Sequence, residues 1–181
     1  LKRCPWPLRA DAADIRLDVT KTVLASELRV RNETLSRSLH RLPGGRQVLL
    51  AAQKSGHMFA VDPQRQGSLL WQAEPSADDV RASQADNSES GILYGMAADR
   101  HHVYAARTGK GGVTAFKLST GEQVWRTPSP NVGCAWGTSG CTNAQATAPV
   151  VIPGAVFAGS HDGHIRAYST RDGRILWDFD T

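Results

Sequence analysis

Nowhere in the 181 residues does an apolar run reach the roughly 18 needed to cross a bilayer as a helix, so no membrane span is written into the chain. No charged-then-apolar leader opens it either. Lys and Arg number 21 against 17 Asp and Glu, a net charge of +4. That mild excess is scattered, and no stretch combines clustered basic residues with interleaved aromatics, which argues against a nucleic-acid partner. Aromatic residues make up only 7% of the chain, yet five of them are Trp. Where those Trp fall therefore carries information.

Three of them close a phrase that occurs three times, as Gly56-Ala60-Gly67-Trp71, Gly111-Ala115-Gly121-Trp125 and Gly163-Ala167-Gly173-Trp177. The Trp residues stand 54 and 52 residues apart, the length of one supersecondary unit in a propeller or solenoid. Each copy runs through short stretches of β-branched, aromatic and small residues, such as Val48 to Ala52, then His57 to Val61, then a third ending in Trp. Turn residues separate them, so each copy reads as an antiparallel meander. Three strands per copy are visible, and a fourth is expected in the interval before each.

The pairing of a small Ala with a large Trp has a mechanical reading. A Trp on an outer strand can lie flat on the next sheet where a small residue leaves room, burying its rings while the indole N–H finds a backbone acceptor. Trp71, Trp125 and Trp177 are thus expected to staple neighbouring sheets together. The chain reads as all-β, a β-propeller of about three to four blades. Such an arc leaves raw blade edges, which a closed ring would not; the remaining blades of a ring are expected to cover them.

The pattern resembles the tryptophan-docking motif of the quinoprotein β-propellers. Ala115 to Trp125 and Ala167 to Trp177 have that family's eleven-residue length, and Ala60 to Trp71 is one longer. The Asp usual two residues after the Ala survives only as Asp62, with Lys117 and Ser169 in its place elsewhere. The connecting segments Gln53-Lys54-Ser55-Gly56, Gly91 to Asp99, Asn143 to Thr147 and Ile152 to Gly159 resemble the quinoprotein alcohol dehydrogenases, and most of all the polyvinyl alcohol dehydrogenase branch. The resemblance covers about residues 43 to 181. It implies a piece of a presumed eight-bladed ring, with 46–181 as partial propeller and 1–45 as a divergent N-terminal segment.

The activity so implied is oxidation of a primary or secondary alcohol with pyrroloquinoline quinone (PQQ), with electrons passing to a cytochrome c. A flat tricarboxylate quinone needs cationic donors, stacking surfaces and usually a divalent metal, calcium in this family. Lys54 occupies the position where relatives place a Lys or Arg beside the quinone oxygens, there to stabilise charge that develops on reduction. Its other reading is a solvated turn lysine. Tyr94 stands where the branch commonly has Trp facing the cofactor, with core packing as its other reading. Gln145 and Thr147 begin an inner strand and can hydrogen-bond carboxylates or quinone oxygens, or be ordinary edge positions. The resemblance places the catalytic Asp and most calcium ligands in blades before residue 1, so this chain alone is not expected to be a competent enzyme.

Three cysteines remain. Cys134 and Cys141 bracket the Gly-rich hexapeptide 135–140, short and flexible enough to close as a disulfide, which implies an oxidising compartment such as the periplasm. Two free thiols are the competing reading, and a metal site lacks two further ligands at suitable spacing. Cys4 is left without an evident partner, and no Cys-x-x-Cys-His attaches haem. His161-Asp162-Gly163-His164 invites a metal reading but falls on the turn that corresponds to Lys54-Ser55-Gly56-His57.

In the first 45 residues, Cys4-Pro5-Trp6-Pro7 resembles the branch's entry to this blade, with Asp11 or Asp14 in the place of its acidic pair. Beyond it Leu24, Leu28, Leu35, Leu39 and Leu42 have a helix-like spacing, so the divergent segment reads as part strand or as a helical insertion, or else as anomalous sequence. Two other functions stay open: an outer-membrane assembly or protein-binding scaffold that uses the same docking repeat without cofactor, and a ligand-sensing propeller without redox chemistry.

Overall fold

The computed structural model describes residues 35–42, 44–74, 91–109, 111–130, 133, 141–145 and 147–181. Three four-stranded antiparallel sheets follow one another along the chain. Their strands are β1 (Leu35–Arg41), β2 (Gln47–Gln53), β3 (Met58–Asp62) and β4 (Ser68–Ala73) in the first sheet. The second comprises β5 (Met96–Ala98), β6 (His102–Ala106), β7 (Val113–Lys117) and β8 (Gln123–Thr127). The third comprises β9 (Val150–Ile152), β10 (Ala155–Gly159), β11 (His164–Ser169) and β12 (Ile175–Asp180). Each strand pairs with its sequence neighbour, so every sheet is a simple meander. The expected fourth strand is present in each copy as β1, β5 and β9.

Residues Leu35–Arg41, whose leucines have helix-like spacing, form an extended strand in unbroken register with β2, from Leu35 opposite Gln53 to Arg41 opposite Gln47. Positions four apart share a face in a strand as well as in a helix, so the spacing alone does not separate the two.

Alternation along the middle sheet shows how the sheets stack. Val103 and Ala105 of β6 join Val48, Leu50, Met58, Trp71 and Phe116 in the core between the first and second sheets. Tyr104 and Ala106, the residues between, join Ala115, Trp125, Val156 and Tyr168 in the core between the second and third. Successive side chains of a strand point to opposite faces. Because both faces of this sheet are covered, β6 reads as a nearly unbroken apolar run rather than an alternating one.

The docking phrase gives the same geometry in all three sheets. Ala60 lies opposite Trp71, Ala115 opposite Trp125 and Ala167 opposite Trp177, each followed at once by a register shift that turns the Trp off the sheet. The Trp71 indole N–H donates to the Leu118 carbonyl at 3.0 Å, and that of Trp125 to the Thr170 carbonyl at 3.2 Å. Each ring lies on a glycine of the next sheet, Gly121 and Gly173, where a Cβ would run into the indole. Trp71 and Trp125 are both 8% exposed. The one-residue excess between Ala60 and Trp71 is taken up by a 3₁₀ turn, Pro63–Arg65, followed by Gln66 in the left-handed region at φ 55°.

The substituted Asp positions are compensated locally. Asp62 accepts from the Gln64 N–H at 2.9 Å and from Arg46 at 2.8 Å, while Ser169 Oγ accepts from the Arg171 N–H at 3.2 Å. At Lys117 the turn is closed by the backbone, the Lys117 N–H donating to the Glu122 carbonyl at 2.7 Å and the Gly121 N–H to the Lys117 carbonyl at 2.8 Å, with a solvent-exposed Lys117–Glu122 ion pair above it.

Candidate functional site

The β2–β3, β6–β7 and β10–β11 turns lie at one end of the sheets, and the segments leading into β5 and β9 dock on them. In the first turn the Gln53 N–H donates to the His57 carbonyl at 2.9 Å, and Lys54 sits half-buried at its apex. Ser55 Oγ holds the turn through Gln53 Oε1 at 3.1 Å and His57 Nδ1 at 2.8 Å. The segment that begins at Gly91 then passes directly over Lys54, so close that a Cβ at Gly91 would overlap the Lys54 carbonyl. The Ile92 N–H donates to the Gln53 carbonyl at 3.1 Å. On its other side the Gly91 carbonyl accepts from the Thr108 N–H at 3.1 Å and from Thr108 Oγ1 at 2.9 Å. Lys54 and Tyr94 are thus brought to the same end, with the Tyr94 ring 48% exposed.

One sheet further on the arrangement recurs. The Gln145 N–H donates to the Arg107 carbonyl at 2.9 Å, and the His161 N–H to the Ala144 carbonyl at 2.9 Å. By these bonds Gln145 corresponds to Ile92 and Thr147 to Tyr94, while Lys54, Thr108 and His161 correspond to one another. Counting back two residues from the motif glycine would have matched Lys54 with Gly109. The second turn is longer, closing from Arg107 to Gly112 at 3.0 Å, so that count slips, and Lys110 lies outside the described residues.

Gln145 and Thr147 part company. Gln145 is fully buried, its amide donating to Ser129 Oγ at 2.7 Å and to the Tyr168 hydroxyl at 3.3 Å, and its Oε1 has no partner among the described residues. Its backbone bridges Ser160. Gln145 therefore anchors the incoming segment from beneath. Thr147 is exposed, and its Oγ1 accepts from the Gly159 N–H at 2.8 Å. Burial pushes the Tyr168 phenol up, so it stays a neutral hydroxyl.

A polar network that the sequence did not announce lies below the third turn. Arg166 and Asp162 are wholly buried and paired at 2.7 Å; Arg166 also donates to Asp178 at 3.0 Å and to Ser160 Oγ at 2.8 Å. Asp162 takes a further bond from the His164 N–H at 3.1 Å and from Ser160 Oγ. Burial raises the Asp162 pKa, but these hydrogen bonds and the Arg166 charge outweigh it and hold the carboxyl below its ordinary value. With its oxygens so committed, Asp162 is a structural anion, and His164 pairs with Asp178 at 2.6 Å. Among the described residues no group of three or more His, Cys, Asp or Glu could hold a metal ion. The only sequence signal for this network was an Arg in mid-strand, four residues after an Asp.

Cys134, Cys4, Asp11 and Asp14 lie outside the described residues, while Cys141 is half-buried. Among the described residues no helix is long and apolar enough to cross a membrane.

Meander sheets stapled through Trp onto glycine, with a recurring segment docked over each turn, define a β-propeller repeat protein. The particular kind follows from comparison: residues 54–181 match the PQQ-type repeat family described as outer membrane protein assembly factor BamB, and the chain belongs to that family. A polyvinylalcohol dehydrogenase from Pseudomonas sp is 40% identical over 150 residues, which is 79% of this chain and 22% of the relative. The chain thus spans about a fifth of the length of that relative. Among solved structures, BamB from Moraxella catarrhalis superposes with a TM-score of 0.55 at 20% identity, covering 81% of this chain and 37% of that one. The quinohemoprotein alcohol dehydrogenase from Comamonas testosteroni gives 0.53 at 21% identity, over 81% of this chain and 22% of that one. At such identities the two structures speak for the fold alone.

Proposed function

We propose that this chain is part of a PQQ-dependent alcohol dehydrogenase of the polyvinyl alcohol dehydrogenase type, periplasmic and delivering electrons to a cytochrome c. The observation that carries this reading is the convergence of Lys54, Tyr94 and Thr147 on one end of the sheets through one repeated docking device. The similarity to a polyvinylalcohol dehydrogenase, 40% identity over 79% of this chain, supports the same reading.

The residues at this end fit part of what PQQ requires. Lys54 supplies a cation, the exposed Tyr94 ring a stacking surface, and Thr147 a hydroxyl. When bound, PQQ would supply an electrophilic quinone that accepts two electrons from the alcohol. Lys54 would stabilise negative charge on the quinone oxygens, an interaction that strengthens where bulk water is excluded. Gln145 takes the role of a positioning residue, fixing the strand entry that carries Thr147. Calcium finds no ligand set among the described residues, and its place in the reading rests on the resemblance.

The test uses the full-length protein, supplied with PQQ and calcium and assayed for alcohol-dependent dye reduction. Lys54→Ala should lower kcat/KM by roughly 10²–10³, the range for losing one electrostatic donor, with thermal unfolding unchanged. Lys117→Ala removes the same charge from the far end of β7 and should change activity little. Equal activity of the two variants would return Lys54 to an ordinary turn lysine. It would favour the second reading, a scaffold without cofactor, whose support is the BamB description of the matching family.

The periplasmic assignment carries with it a Cys134–Cys141 disulfide closing the hexapeptide loop. Peptide mass spectrometry of unreduced protein should find the two cysteines linked; recovery of both as alkylated thiols would refute the pairing.

A further inference from the structure

The opposite end of the sheets holds a second site with different chemistry. There the ends of the inner strands β1, β5 and β9, and the turns after them, converge on a hollow of about 630 Å³. Its volume is in the range of small-molecule sites. One wall is basic: His40 and Arg41 close β1, and Arg100 and His101 form the turn after β5. The other wall is apolar, formed by Val151, Ile152 and Pro153. A neighbouring hollow of about 440 Å³ shares Arg41, Arg100 and His101, so the basic residues form a ridge between two depressions.

The single carboxylate among the described lining residues does not neutralise that ridge. Asp99 Oδ1 accepts from the N–H groups of His101 and His102 at 2.7 and 2.8 Å, and Oδ2 from the Tyr104 hydroxyl at 2.6 Å. Its charge is spent on its own turn, and these bonds outweigh burial to keep it ionised. Arg41 and Arg100 make no ion pair or hydrogen bond among the described residues, and both are exposed. Burial lowers the His40 pKa, so near neutrality the positive charge at the end of β1 resides on the Arg41 guanidinium, with Arg100 adding a second. Ile152 leaves 49% of its surface open across from them.

Two forked donors facing an aliphatic wall match one ligand chemistry. We propose that this hollow binds an aliphatic carboxylate, its head on Arg41 and Arg100 and its hydrocarbon against Val151, Ile152 and Pro153. A guanidinium pairs with a carboxylate through two parallel bonds, and the apolar wall gains by covering the chain. The site needs neither PQQ nor Lys54, so it stands apart from the proposed redox chemistry.

The probe is sodium octanoate, titrated calorimetrically into the full-length protein at low salt, with inorganic phosphate and octylamine as controls. Octanoate should bind, and the histidine ring signals of His40 and His101 should shift in NMR spectra as it does. Arg41→Ser combined with Arg100→Ser should weaken binding by about 10- to 100-fold, as for lost hydrogen bonds to a charged group. Both side chains are exposed, so the variant should unfold at the parental temperature. Phosphate should bind at least about tenfold more weakly than octanoate, and octylamine not at all. Any of three results overturns the proposal: no octanoate binding at millimolar concentration, unchanged binding in the double variant, or phosphate binding as tight as octanoate.

Discussion

The second and third sheets carry the same eleven-residue phrase from Ala to Trp, and their tryptophans live in different surroundings. Trp125 is 8% exposed and Trp177 is 47% exposed. The local geometry is shared: each Trp stands opposite the motif Ala and follows the same register shift. What differs is the glycine and the carbonyl beyond. Trp125 meets Gly173 and the Thr170 carbonyl, whereas Trp177 stacks on Phe179 of its own strand, ring centres 5.4 Å apart. Leu176, Phe179 and Ile165 are similarly open on that sheet. The phrase therefore encodes the orientation of the Trp, and the neighbouring sheet supplies its burial.

The largest expected effect breaks that comparison directly. Trp125→Ala, and likewise Trp71→Ala, should cost on the order of 3–5 kcal/mol, as for a large buried aromatic. Trp177→Ala in the same 181-residue chain should cost about 1 kcal/mol or less, since little contact is lost at a half-exposed position. Urea unfolding of the three variants measures this. Equal costs at Trp125 and Trp177 would show that the local bulge, rather than the next sheet, is what the Trp stabilises. In a longer chain that places a glycine of a further sheet against Trp177, its cost should rise to that of Trp125.

The comparison also explains what could be read from the letters. Gly, Ala and Trp were legible because each answers a steric demand that no other residue meets: no Cβ beneath the indole, and a small side chain opposite it. The inner strands were not, being as short as Met96–Ala98 and Val150–Ile152 and lacking a period long enough to declare itself. Leu35 and Leu39 read as helix because a separation of four suits either structure. At the candidate site, Lys54 and Tyr94 could be named, but the equivalence of Lys54 with Thr108 depends on hydrogen bonds across a turn of different length. Gln145 read either as a ligand contact or as an ordinary edge position, and the placement of Ser129 and Tyr168 around its amide makes it an anchor. Arg166 offered only its mid-strand position as a signal, since its two carboxylate partners lie 4 residues before it and 12 after.

That buried pair gives the third sheet a sensitivity to acid that the first should share less. In the first sheet the comparable ion pair, at the β3–β4 turn, is that of Asp62 with Arg46, whose guanidinium is 45% exposed and so partly screened by water. In the third, Asp162 and Arg166 are both wholly buried. The folded-state pKa of Asp162 lies below its ordinary value near 3.8, so its stabilisation is present above that value and is lost as pH falls through the folded pKa. Stability should therefore change little through this group between neutrality and about pH 5, and fall below about pH 4. Asp162→Asn should cost about 1.5–3 kcal/mol at pH 7, the range for a hydrogen bond to a charged group, and should flatten the acid limb of the stability curve. Asp62→Asn should cost less and flatten it less, because Arg46 can turn to solvent when its partner is neutral. Hydrogen exchange at the His164 amide, which donates to Asp162, localises the effect to the third sheet. An acid limb unchanged in Asp162→Asn, or steeper relief from Asp62→Asn, would place the acid-sensitive anchor elsewhere.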